Sequence, residues 1–153
     1  MSSSLIRRIA RFARLPPSQR RIFLHALALL PAVEARLRLG GLESVRGALE
    51  RLPPPSAARP SEANAHTIAR LVAAAARHGP LRADCLATSL ALQWLLRKYG
   101  LSSDLRIGVR RAGARMEAHA WVEHEGVSLL DGPGVHERYG AFDPIPHRRG
   151  GAG

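Results

Sequence analysis

The chain holds a single cysteine, Cys85, among 153 residues. One cysteine excludes an internal disulfide framework, so nothing in the sequence requires an oxidising compartment. Acidic residues are scarce: 12 Asp and Glu stand against 23 Lys and Arg, for a net charge of +11. Almost all the positive charge is Arg. Such a balance favours acidic partners: a nucleic acid, an anionic membrane surface or an acidic peptide. Aromatics are also few, at 5%. The basic residues are dispersed, and no helix-turn-helix or RNP-type motif is visible, so no nucleic-acid partner is expected. Long apolar runs are missing. The longest, Ile22 to Val33, is broken by His25 and Pro31 and falls short of the roughly 20 residues a membrane span needs. Stable membrane insertion is therefore not expected. Leu5 to Leu15 alternates apolar residues with Arg, which denies a secretory signal its h-region. A cytoplasmic protein is expected, although the acid-free, Arg-rich start also resembles a transit peptide.

What is present divides into helices and then strands, with a length that suits one domain and a small helical appendage. Ile6, Ile9, Ala10 and Ala13 recur at helical spacing beside Arg7, Arg8, Arg11 and Arg14. They predict a short amphipathic helix before Pro16-Pro17, read as a basic helix covering the domain, with a docking or membrane-surface element as the alternative. Ser18 is expected to cap a second helix through Leu30, and Pro31 to start a third that Gly40-Gly41 stops. Leu42, Val45, Leu49 and Leu52 carry another. The division expected is a helical lobe over residues 1–52, a Pro-rich linker over 53–60, a core domain over 61–143 and a flexible tail over 144–153.

Ser61 opens a helix to about His78, with Ile68, Leu71, Val72 and Ala75 facing inward. His66 and His78 read as surface groups at its ends. Asp84 caps a central helix, Cys85 to Tyr99, that is apolar on most sides and should be buried, with Gly100 at its C-terminal end. The period then changes to two. Leu105, Ile107 and Val109 alternate with Arg106 and Arg110. Ala112-Gly113-Ala114 is a hairpin turn into Met116 to Glu123, and Glu125-Gly126 turns into Val127 to Leu130. Helices followed by three strands on short links give an α+β fold with an antiparallel sheet.

A thiolate, not a thiol, is the nucleophile, and a helix N-terminus and a nearby imidazolium both favour it. Cys85 stands in the first turn of the central helix. Asp84 opposes the thiolate unless its carboxylate turns to cap the amide of Ala87 or Thr88. His119, inside a strand, can act as base and acid, and Asp131, at the expected end of the next strand, can orient it. Strands about 5 Å apart allow that contact. Separately, each residue has a plainer reading: a small buried hydrophobe, a core histidine, a turn aspartate. Their order and settings together favour chemistry. A metal site of His119, His124 and His136 is a weaker reading, since the first two lie five apart in a strand and face opposite sides. No cofactor site is expected.

The stretch Cys85-Leu86-Ala87-Thr88-Ser89-Leu90-Ala91-Leu92, then Leu105 to Arg111, then Ala118-His119-Ala120-Trp121-Val122-Glu123, then Asp131-Gly132-Pro133 and Glu137-Arg138-Tyr139, resembles the protease half of the lasso-peptide maturation B proteins, a transglutaminase-like cysteine protease family. The resemblance covers about residues 60–143. It implies a transglutaminase/papain-like domain, with a central cysteine helix against a small antiparallel sheet, preceded by the helical lobe. It implies Cys85 as nucleophile, His119 as base and Asp131 as orienting acid. The reaction implied is removal of a leader from a ribosomally made precursor peptide in a bacterial cytoplasm, before a separate ATP-using lasso cyclase closes the core. Fused family members carry a leader-binding domain ahead of the protease. The helical lobe here does not read as one, so a separate leader-recognition protein is expected as partner. Transglutaminase-like transamidases or amidases, and a binding module with a vestigial triad, are the alternatives.

Overall fold

The computed structural model describes residues 3–51, 53, 64–79, 83–132, 134–142 and 145–146. Most of the Pro-rich stretch, Ser61 and the last seven residues lie outside them. Helix α1 spans Ser3–Ala13 and α2 spans Pro17–Glu50. Pro16 is the N-cap of α2 and Pro17 its first residue, so Ser18 is not the cap. Proline fits there because its missing N–H would be unpaired anyway. Pro31 does not begin a new helix. It lies inside α2, and the buried residues Ile22, Ala26, Leu30 and Val33 pass it at helical spacing. The break comes at Gly41, with φ 65° and ψ −172°, a conformation that suits glycine. Arg36 bridges the kink, its Nε donating to the Ser44 carbonyl at 3.1 Å.

Asn64 caps α3 (Ala65–His78), its Oδ1 accepting the Thr67 N–H at 2.8 Å. Ile68, Leu71, Val72 and Ala75 of α3 are buried, as the period requires. Helix α4 spans Cys85–Lys98, and its Leu90, Leu92, Leu95 and Leu96 are fully buried. Gly100 ends it with φ 74°. The Leu101 N–H then reaches back to the Leu96 carbonyl at 2.9 Å and the Gly100 N–H to Arg97 at 2.9 Å, a Schellman closure.

Strand β1 (Asp104–Ala112) pairs antiparallel with β2 (Arg115–His124), and β2 with β3 (Val127–Ser128). Glu125 and Gly126 both take positive φ, 52° and 78°, which matches a tight hairpin to strand twist. β3 is shorter than the expected Val127 to Leu130. The Leu129 N–H still donates to the Val122 carbonyl at 3.0 Å, and the chain then bends away. The far edge of β1 is covered by elements the sequence did not predict. After the short helix α5 (Val135–Arg138), strands β4 (Gly140–Ala141) and β5 (Ile145–Pro146) both pair with β1. Two-residue bridges have no period to read, and Pro146 fits only because it is at an edge.

The register places Leu105 opposite Val122 and Ile107 opposite Ala120. Leu105, Ala120 and Val122 join one hydrophobic core with α4, with Ile68 and Val72 of α3, and with Ile22, Leu30, Val45 and Leu49 of α2. The helical lobe is therefore not a separate core. Among the described residues no helix is long and apolar enough to cross a membrane.

His25 of α2 lies against this assembly with its Nδ1 buried and, among the described residues, unpartnered. Burial, and then the charges of Lys98 and Arg21, push its pKa below 6.5. The unfolded ring takes up a proton first as pH falls, so stability is fullest above 6.5 and declines below it. Thermal unfolding at stepped pH checks this. The wild type should lose more of its Tm between neutral and mildly acidic pH than His25→Gln; parallel curves would refute it.

Candidate active site

Cys85 is the first residue of α4 and its side chain is exposed. The residue before it, Asp84, turns its carboxylate back on the helix. Its Oδ1 accepts the Ala87 N–H at 2.7 Å, and its carbonyl accepts the Thr88 hydroxyl at 2.7 Å. The negative charge next to the thiol is thereby spent on capping.

His119 lies in the middle of β2, and Asp131 lies three residues beyond β3. The early bend after β3 does not separate them. His119 Nε2 is 2.9 Å from Asp131 Oδ1, with both side chains roughly four-fifths buried. A buried bond fixes α4 against β2 at this point: the Ser89 hydroxyl, one turn after Cys85, donates to the carbonyl of Ala120 at 3.0 Å. Cys85, His119 and Asp131 line one cavity of ≈ 580 Å³, closed on one side by Ala73 and Ala76 of α3. Thiol and imidazole share that space; among the described residues no hydrogen bond joins them, and the ring's partner is Asp131. His78, expected at the surface, is exposed and also lines the cavity.

Sequence reasoning missed a second group that holds the imidazole. His119, Trp121 and Glu123 alternate onto one face of β2. The ring of His119 lies nearly parallel to Trp121, centroids 6.0 Å apart at 19°, and 5.0 Å from Tyr139. Trp121 is fully buried, and its Nε1–H donates to Glu123 Oε1 at 2.8 Å. The same oxygen is 3.0 Å from His136 Nε2, and His136 meets the Trp121 ring edge-on at 5.6 Å. Outermost, Arg110 stacks 4.9 Å above Tyr139 and pairs with Glu117 at 2.6 Å, a hydrogen bond that raises its pKa. The period of two, which puts Trp121 and Glu123 on the same face as His119, is the signal that could have found them. Nothing in the sequence placed Tyr139, which comes back from the tail.

Gly108 makes this packing possible. It pairs with His119 across the ladder. A Cβ there would lie 3.0 Å from Trp121 Cη2, 3.0 Å from Tyr139 Cβ and 3.1 Å from the Gly140 carbonyl oxygen. Two of these atoms belong to or adjoin backbone and yield little. Gly108→Val is expected to cost about 1–3 kcal/mol. Urea unfolding should show a lower midpoint at an unchanged slope; an unchanged midpoint would mean the aromatic wall adapts freely.

The three histidines of the alternative metal site go to separate acceptors. His119 meets Asp131, His136 meets Glu123, and His124 Nδ1 is 2.6 Å from the Ser102 carbonyl. Among the described residues no group of three or more His, Cys, Asp or Glu is placed to hold a metal ion.

A helix that begins with an exposed cysteine is set against an antiparallel sheet, and a His–Asp contact lines the same cavity, in an α+β fold. Residues 27–144 match the Transglutaminase-like superfamily, and this chain belongs to that superfamily. The match begins inside α2, well ahead of residue 60, where the sequence resemblance starts. It therefore takes in helices that the resemblance treated as preceding the domain. Comparison with curated proteins and with solved structures gave no match. Membership fits thiol chemistry of the cysteine-protease or acyltransferase type.

Proposed function

We propose that this protein is a cysteine protease that removes the leader from a lasso-peptide precursor, using Cys85, His119 and Asp131. The observation that carries the reading is the 2.9 Å contact of Asp131 with His119 Nε2 in the cavity that Cys85 lines. With Nε2–H donated to the carboxylate, Nδ1 is the nitrogen with a lone pair, and it is the base. Nδ1 takes the thiol proton as Sγ attacks the scissile carbonyl, then gives that proton to the leaving amine as the C–N bond breaks. The leader stays on Cys85 as a thioester. Water attacks it, again giving its proton to Nδ1, and thiol and leader carboxylate are released. The Cys85 backbone N–H, a first-turn amide with no acceptor among the described residues, is one donor to the oxyanion. The freed core amine passes to a separate cyclase, and a separate protein presents the leader. Family membership supports equally an amidase on another substrate, which resolves the thioester with water, or a transamidase, which resolves it with an amine.

The test combines the protein, a precursor peptide and its leader-binding partner, with masses recorded. Free leader carboxylate is expected with the wild type, and Cys85→Ala should lower its formation by about 10³-fold or more. Intact precursor with both proteins would overturn the reading. Leader trapped as an amide of an added primary amine would favour the transamidase.

A further inference from the structure

α1 is seated on the protein by Phe12, whose ring lies 5.5 Å from that of Phe23. It does not cover the domain with the rest of its apolar side. Ile6 is 67% exposed and Ile9 59%. With successive residues about 100° apart, Ile6, Ile9, Ala10 and Ala13 share one arc of the helix, and Arg11 and Arg14 stand on the arc beside it. The same composition crosses onto α2. Leu24 is 52% exposed and shares a shallow hollow with Phe12, Arg20 and Arg21. The charge here has one sign. Six arginines, and no Asp or Glu, precede Glu34.

A lone exposed isoleucine is ordinary. Two on one arc of a helix, beside arginines and in an acid-free segment, have the pattern of a helix that lies in a membrane interface. An exposed apolar helix face also fits a protein groove; the charge of one sign, carried by arginines on both α1 and the first turns of α2, is what favours an extended anionic surface. Guanidinium groups pair bidentately with phosphate, the anion such a surface presents. We propose that α1 and the first turns of α2 form a docking surface for anionic phospholipid. Ile6 and Ile9 enter among the headgroups, while Arg11, Arg14, Arg20 and Arg21 meet the phosphates. The protein then sits on the membrane without spanning it. The surface is built from residues outside the Cys85 cavity, so it stands or falls independently of the chemistry there.

Co-sedimentation of the full chain with vesicles tests this. One set is pure phosphatidylcholine; the other contains about 30% phosphatidylglycerol. The chain should pellet with the second set and not the first, and release as NaCl rises from about 0.05 to about 0.5 M. Ile6→Ser with Ile9→Ser, and separately Arg11→Glu with Arg14→Glu, should each lower the partition coefficient by about tenfold or more. All four positions are exposed, so unchanged thermal unfolding will show that the variants are folded. Failure to pellet with anionic vesicles would overturn the proposal. So would equal binding by the double-serine variant, which would leave only unspecific charge attraction. Equal binding to both vesicle sets would overturn it as well, because phosphatidylcholine carries phosphate without net negative charge.

Discussion

His119→Ala is expected to lower kcat/KM for leader cleavage by about 10³–10⁴-fold, with Tm nearly unchanged. His119 is about one-fifth exposed and lines an open cavity, so the smaller side chain leaves space that water can fill. The loss falls on chemistry because no other imidazole is hydrogen-bonded to an acid in that cavity among the described residues. His78 also lines it, from the end of α3, yet among the described residues it has no such partner to fix its tautomer. Asp131 can be separated from His119 by two substitutions. In Asp131→Asn the amide oxygen can still accept from Nε2–H, which keeps Nδ1 as base and removes the charge that supports the imidazolium. Asp131→Ala removes both. The expected order is wild type, then Asn, then Ala, with Asn down about 10²-fold and Ala about 10³-fold. Steady-state rates on one precursor, read as kcat and KM separately, decide it. Full activity in His119→Ala would sink the triad. Equal loss in both Asp131 variants would show that charge matters and orientation does not.

The parts of this site that sequence revealed are those written in local chemistry. Asp84 followed by Cys85 and an apolar run says that a helix begins, and Asp84 does cap Ala87 there. Gly113 and Glu125-Gly126 mark the hairpins, and alternation then puts His119 beside Trp121. Misreadings arose where a local rule met a tertiary one. Pro31 looked like a helix start because proline is tolerated there, but the continuous buried face from Ile22 to Val33 holds one helix through it. β3 stops after Ser128 because Leu129 and Leu130 pack on the core and Asp131 turns to His119, and neither constraint has a period. Tyr139 is the farthest from legibility. Its place beside His119 depends on β4 pairing with β1, and on Gly108 leaving room for it.

Trp121→Ala should be the most destabilising single substitution in the sheet, at about 3–5 kcal/mol. Three losses combine. A fully buried indole leaves a cavity on the sheet face away from α4. Glu123 Oε1 loses the Nε1–H donor and, among the described residues, keeps His136 and a distant Arg106 at 3.7 Å, which leaves a buried carboxylate short of partners. The ring that lies parallel to His119 disappears, so the imidazole is held by Tyr139 and Asp131 alone. Trp121→Phe separates these effects. Phenylalanine keeps most of the wall and gives up the N–H, so it should cost about 1–3 kcal/mol, chiefly the unmet carboxylate. Calorimetry should place the Ala variant roughly 6–20 °C below the wild type and the Phe variant between them. At a temperature where all three are folded, kcat should fall further than KM rises in Trp121→Ala, because a freer imidazole spends less time facing Cys85. An Ala variant within about 1 kcal/mol of wild type would mean that the indole is not what seals this face. Unchanged kcat in a destabilised Ala variant would assign the wall to folding alone and leave Asp131 as the sole group that positions His119.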